Sequence, residues 1–328
     1  MTHTTEYHTR RIDMRKILLD EYGTIDVLHE INEAVPTPKH GQILIKITAT
    51  SVNAPDIEIR QHGPFPTMPK EMRPTLPHML GEDFSGIITA IGDGVTRFQV
   101  GDHVIGLTLN GTYAEYIALN ENSLVATVPS DLDLTPLGGL YVTAATAWAA
   151  VVLNGKVQTG QKVLIHGAAG GVGSMAVQIA KHFGAYVIGT AGSYSNEYLN
   201  ELGADEVIDY RTQDFTKIVS DVDLVVNLTG PATLEQSYQV VKKGGRLTST
   251  NGVPDKEKAA EMDIEATYTM GIISSEDLSA IIRLYSEGNL KLNISKIYHF
   301  TLEDIKQAHL DFEKGPNQGK RIINFDVE

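Results

Sequence analysis

The stretch Gly160 to Lys181, GQKVLIHGAAGGVGSMAVQIAK, constrains the fold more than any other part of the chain, because strand, glycine turn and helix follow one another in it without a break. Val163, Leu164 and Ile165 form the continuous apolar run of a parallel strand buried on both faces. From Val172 the period changes. Val172, Ala176, Ile179, Ala180 and Phe183 recur at the spacing of a helix that lays one face on a sheet. Between the two, Gly171, Gly173 and Ala176 make G-x-G-x-x-A. Its first glycine permits a tight turn, its second lets backbone approach a pyrophosphate, and the small third residue lets helix and strand pack closely. The free N–H groups and positive end of the helix then hold the anion. A purely structural glycine turn is the plainer alternative, and the alternation that follows argues against it.

Downstream, Tyr186–Thr190, Glu206–Ile208, Val222–Asn227, Arg246–Thr250 and residues 263–272 read as strands, with helices at Glu197–Leu202 and Leu234–Val241. This is the rhythm of βαβ units and a parallel sheet. Upstream, ILIKI at Ile43–Ile47 alternates as a half-buried antiparallel strand does, and Gly111–Leu119 continues that pattern. Pro136 opens a helix rich in small residues that crosses between the two regions. Ile281–Tyr285 is expected in a helix returning to the first region, Thr301 with Asp304 as a helix start, and GKRIINF as a last strand there. A chain of 328 residues has room for two such cores. The division expected is an extension at 1–13 without order, a first domain at 14–136 plus 271–328, and a nucleotide domain at 137–270.

Charge and composition exclude several classes. A formal charge of −14 argues against nucleic acid, which needs a basic face. No apolar run approaches the length of a membrane span, and the polar start MTHTTEYHTRR has no signal-peptide core, so no membrane partner and a cytoplasmic address are expected. With no cysteine there is neither a thiolate nucleophile nor a cysteine-ligated zinc.

Five motifs carry a resemblance. Gly160, Gln161, Leu164, Ala168, Ala169, Gly170, Gly171, Gly173, Gln178 and Lys181 stand on one signature; Asn53, Asp56, Arg60 and Gly63 make N-x-x-D-x-x-x-R-x-x-G; Gly81, Gly86, Gly92 and Gly101 punctuate PHMLGEDFSGIITAIGDGVTRFQVG; and T-A-W and GADEVIDY follow. The chain thereby resembles the zinc-free branch of the medium-chain dehydrogenase/reductases, the quinone oxidoreductase or zeta-crystallin family. The resemblance implies an α/β fold in which a Rossmann-type parallel-sheet domain is inserted in a GroES-like antiparallel β-barrel domain. Zinc-dependent relatives carry a cysteine at Asn53 and G-H-E at Gly81-Glu82-Asp83, so no metal is expected. His78 and Glu82, if they shared a helix face, would lack a third ligand.

The implied cofactor is NADPH, held by Ala169, Gly170, Gly171, Val172 and Gly173, with its nicotinamide near Thr146 and the loop Asn251-Gly252-Val253. The end of the second strand, GTAGSYS, holds no acid to take a ribose diol. Ser193 and Ser195 can donate to a 2′-phosphate instead, Tyr210 to cover it and Arg211 to add charge, although Asn196 and Glu197 stand where many NADP-using relatives carry lysine. NADH is the lesser choice. Without a Lewis acid the reaction expected is reduction of an electron-poor small molecule, a quinone or α,β-unsaturated carbonyl, lodged near Asn53. Asn53, Tyr113 and Thr146 are the catalytic candidates. Tyr113 is offered as proton donor beside water, and a place in the barrel core is its alternative. Enoyl-thioester reduction, for which Gly63-Pro64-Phe65-Pro66 lacks the tyrosine of such enzymes, and a crystallin-like NADPH-binding protein with little turnover are the other readings. The alternating IEATYTM of Ile264–Met270 is expected to form the edge of a homodimer.

Overall fold

The computed structural model describes residues 13–65, 68, 70–315 and 318–325. Of the extension expected at 1–13 only Asp13 falls among them, and it opens a strand. β1 (Asp13–Leu19) and β2 (Leu28–Ala34) form an antiparallel ribbon. β3 (Gln42–Ser51), β4 (Asp83–Ile91), β5 (His103–Leu107), β6 (Tyr116–Asn120) and β7 (Val125–Thr127) form the antiparallel sheet. β8 (Lys162–His166), β9 (Tyr186–Ala191), β10 (Glu206–Asp209), β11 (Val222–Asn227), β12 (Val241–Ser249) and β13 (Glu265–Tyr268) form a parallel sheet in the order β10-β9-β8-β11-β12-β13. β14 (Ile294–His299) and β15 (Lys320–Asn324) then rejoin the antiparallel sheet, β15 pairing with β3.

Burial explains the strand patterns. Val163 and Ile165 of β8 enter one core with the helices Leu140–Trp148 and Gly171–His182, while Leu164 between them enters a second core on the opposite face. A strand covered on both sides needs apolar residues at every position. The order of the parallel strands reverses between β8 and β11, and such a reversal opens a crevice at the carboxyl ends of the strands.

The structure corrects several expected bounds. The helix expected from Pro136 is two helices, Leu134–Leu137 and Leu140–Trp148, continued by a π-turn at Ala149–Leu153. The break falls at Gly138-Gly139, where a Cβ on Gly138 would lie 2.6 Å from the Ala49 carbonyl carbon, so bare backbone there presses on β3. The strand expected at 263–272 stops at Tyr268, because Thr269 closes the last bond to Ser249 and Gly271 then crosses to Thr146. The helix expected at Leu234–Val241 is Pro231–Ser237, set by proline in its first turn. Ile281–Tyr285 lies in a longer helix, Ser275–Ser286, and buries Leu278, Ile281 and Leu284 beside the parallel sheet. The chain therefore returns to the antiparallel sheet at β14, later than the expected 271. Gly111–Glu115 is loop rather than strand, touching β1 by one bridge at Ala114. Among the described residues no helix is long and apolar enough to cross a membrane.

Candidate functional site

At the crevice, Gly167 (φ 73°) turns the chain out of β8, and Gly171 begins the helix. The first bond of that helix is Ser174 N–H to the Gly170 carbonyl at 2.9 Å. The N–H groups of Gly171, Val172 and Gly173 precede it and are left for an anion. A Cβ on Gly173 would sit 2.1 Å from the Gly167 carbonyl oxygen, so only glycine lets helix and turn close this tightly. The residues fit a bound pyrophosphate. Ala169 lines the turn almost fully buried. Across the crevice Asn227 Nδ2 donates to the Asn251 carbonyl at 3.1 Å, which fixes the loop Asn251-Gly252-Val253 after β12. Val142 and Thr146 are the half-buried positions of a helix whose remaining residues from Leu140 to Trp148 are buried, and one turn separates them, so both face the same side. Gly271 crosses over Thr146, its missing Cβ leaving room 2.5 Å from Thr146 Oγ1.

The rim after β9 departs from expectation in one residue. Ser193-Tyr194-Ser195 is a 3₁₀ turn that leaves Ser193 exposed and turns Ser195 fully inward. The Ser195 hydroxyl is buried, with no hydrogen-bond partner among the described residues. Tyr210 is exposed, and the Arg211 guanidinium lies 5.2 Å from the ring centre of Tyr194 and 5.8 Å from that of Tyr210. Tyr194 was no candidate in the sequence, where an aromatic between two serines has no distinguishing pattern. Stacking holds the cation on the rim.

The substrate side is built on Asn53, which precedes the helix Ala54–His62. Its N–H donates to Asp56 Oδ2 at 2.8 Å, and Asp56 Oδ1 accepts from Gly81 N–H at 2.7 Å. The Asn53 amide is equally committed. Nδ2 donates to Asp83 Oδ1 at 3.0 Å and to Ser51 Oγ at 3.3 Å, while Oδ1 accepts from Lys320 Nζ at 2.5 Å. Ser51 Oγ also donates to Asp83 Oδ1, at 2.5 Å. Asp83 Oδ2 accepts from Val142 N–H at 3.3 Å and stands 3.8 Å from Lys320 Nζ. Lys320 reaches this point from β15 along the phosphate turn, its Cδ 3.3 Å from where a Gly171 Cβ would be. One buried lysine thus joins Asn53, Asp83 and the turn.

Tyr113 is not at this surface. It is fully buried, its hydroxyl 3.0 Å from Nε2 of the buried His309, which desolvation drives down to about 3 and keeps neutral. Loss of solvent likewise raises the phenol well above its ordinary value, and Tyr113 packs in the core of the antiparallel sheet, the other place considered for it. His78 and Glu82 share no helix face, since residues 79–82 are irregular and His78 makes a bridge to Leu19. The donor set is a poor fit for zinc. Asn53 Oδ1 already accepts from an ammonium, and among the described residues no group of three His, Asp or Glu could hold a metal ion.

Comparison with known proteins identifies the family of the chain. Residues 39–130 match the alcohol dehydrogenase GroES-like domain, and residues 202–323 match a family described as zinc-binding dehydrogenase. The chain is 35% identical to a quinone oxidoreductase of Lama guanicoe, over 94% of this chain and 97% of that one. It is 31% identical to a 2-methylene-furan-3-one reductase of Solanum lycopersicum, over 95% and 79%. The solved quinone oxidoreductase of Coxiella burnetii superposes with a TM-score of 0.87 at 31% identity, covering 96% of this chain and all of the other. The parallel sheet is thus the Rossmann-type domain and the antiparallel one the GroES-like domain, a pyridine nucleotide is the cofactor of such a site, and the chain belongs to the quinone oxidoreductase family of the medium-chain dehydrogenase/reductases.

Proposed function

We propose that this enzyme reduces quinones or α,β-unsaturated carbonyls with NADPH and without a metal. The observation that carries the reading is Lys320 Nζ on Asn53 Oδ1, a fixed cation in the position where a zinc-dependent site needs an empty cation hole. When bound, NADPH supplies the hydride. Gly171, Val172 and Gly173 hold its pyrophosphate, Thr146 and the Asn251-Gly252-Val253 loop flank the nicotinamide, and Ser193, Tyr210 and Arg211 meet the 2′-phosphate. A hydride arriving at carbon sends an electron pair to the substrate oxygen. The buried positive charge of Lys320 favours that oxyanion through a medium of low polarity, so no Lewis acid is required. The test is steady-state NADPH oxidation with a panel of ortho- and para-quinones and enones, joined to elemental analysis. Turnover with undetectable zinc is expected. Failure with every acceptor, or about one zinc per chain retained after dialysis with activity lost to chelator, overturns the reading.

The same reading makes the protein a homodimer joined along β13. That strand is the edge of the parallel sheet, and Tyr268, Met270 and Ile272 beside it are exposed. Light scattering at micromolar concentration should give the mass of two chains. A single-chain mass sinks this assembly.

A further inference from the structure

Asp56, Glu82 and Asp83 bring three carboxyl groups together on the substrate side, within electrostatic reach of Lys320. Two of the three are occupied. Asp56 accepts one backbone N–H on each oxygen, and Asp83 accepts from Ser51, Asn53 and Val142. Glu82 differs. Among the described residues no hydrogen bond engages its carboxyl group, and with Asp56, His78, Leu80, Gly81 and Leu109 it lines a cavity of about 20 Å³, enough for one water.

We propose that Glu82 is the general acid that completes enone reduction, giving its carboxyl proton to the α-carbon of the substrate. This rests on the enone and quinone reading above. The hydride bonds to the β-carbon, the C=C pair moves to the carbonyl oxygen, and the resulting enolate takes the Glu82 proton at the α-carbon. Glu82 is left as a carboxylate within electrostatic reach of Lys320 and recovers its proton from water through the cavity. A quinone makes no such demand, because its reduced form is a stable phenolate that takes its proton from solvent.

The surroundings keep Glu82 protonated near neutral pH. Burial, then the charges of Asp56 and Asp83, push its carboxyl up to about 8, with Lys320 pulling the other way. Burial also raises Asp56 to about 7, against its two N–H donors, but both Asp56 oxygens are bonded to backbone and offer no path to a substrate. Burial holds His78 below its ordinary value and Tyr113 well above its own, so neither changes charge in this range.

The experiment compares Glu82→Gln and Glu82→Asp with the wild type on two acceptors, an acyclic enone and 1,4-benzoquinone. Removal of a general acid should cut enone kcat by about 100-fold or more in Glu82→Gln, with partial recovery in Glu82→Asp. Quinone kcat and NADPH affinity, read by fluorescence titration, should stay within about threefold, since no proton moves to carbon on that path. Wild-type enone kcat should fall as pH rises through about 8, and that fall should vanish in Glu82→Gln. Equal loss on both acceptors, or wild-type enone turnover in Glu82→Gln, overturns the assignment. Should the glutamine variant not fold, a wild-type enone profile that is flat through about 8 overturns it. A wild type that reduces neither acceptor removes the functional reading itself, and this inference with it.

Discussion

Replacing Lys320 with methionine should lower folding stability by about 3–5 kcal/mol, the usual cost of removing one partner from a buried ion pair. On a total stability of about 5–15 kcal/mol this is a change denaturant melts resolve easily. Lys320 is 5% exposed and Asp83 is fully buried, so no water replaces the lost charge. Asp83 keeps its bonds from Ser51, Asn53 and Val142, which holds the loss toward the lower end of that range. Activity should suffer as well. Asn53 Oδ1 loses its only donor among the described residues, and kcat/KM should drop about 100-fold or more for every acceptor, near 2.7 kcal/mol of transition-state stabilisation. The double variant Lys320→Met with Asp83→Asn decides between a lost pair and a lost shape. Neutralising the stranded carboxylate should restore at least half the stability while leaving activity low. An additive double variant would mean that Lys320 and Asp83 do not interact across their 3.8 Å separation.

How much of this was legible in the chain follows from how local each feature is. The phosphate turn was readable because strand, glycines and helix are consecutive, and each residue type answers to backbone geometry within a few positions. The motif around Asn53 was readable for the same reason, but its surroundings were not. Lys320 meets Asn53 across 267 positions, and a lysine in the run GKRIIN carries no sign that it points inward. Tyr113 shows the opposite failure. Its spacing suits either a cleft wall or a core, and only the buried His309, from a helix near the end of the chain, decides for the core. Ser195 was misplaced by a single 3₁₀ turn, below what periodicity resolves. Glu82 was noticed only as a missing zinc ligand, since the cavity that gives it a different role is made by residues from three separate segments.

Reversing the charge at Arg211 should do the most to cofactor choice. In the wild type a preference for NADPH over NADH of about ten- to a hundredfold in kcat/KM is expected, or about 1.4 to 2.8 kcal/mol, because one cation and few donors meet a doubly charged phosphate. The rim is now seen to hold fewer donors than expected, since Ser195 is buried and only Ser193 is exposed. That shifts the work onto Arg211, kept over the rings of Tyr194 and Tyr210. Arg211→Glu replaces attraction by repulsion at the same place and should erase the preference or invert it, lowering NADPH use by about 100-fold while NADH, with a neutral ribose hydroxyl there, stays within about threefold. The site is exposed, so the effect must shrink as salt is raised. Placing Asp at Ser193 should act in the same direction by bringing a carboxylate to the phosphate and a diol acceptor to NADH. Ala191→Asp tests something else, since Ala191 is buried at the end of β9 and a charge there threatens the fold before it reaches the cofactor. An unchanged NADPH to NADH ratio in both Arg211→Glu and Ser193→Asp would mean that the turn after β9 does not read the phosphate.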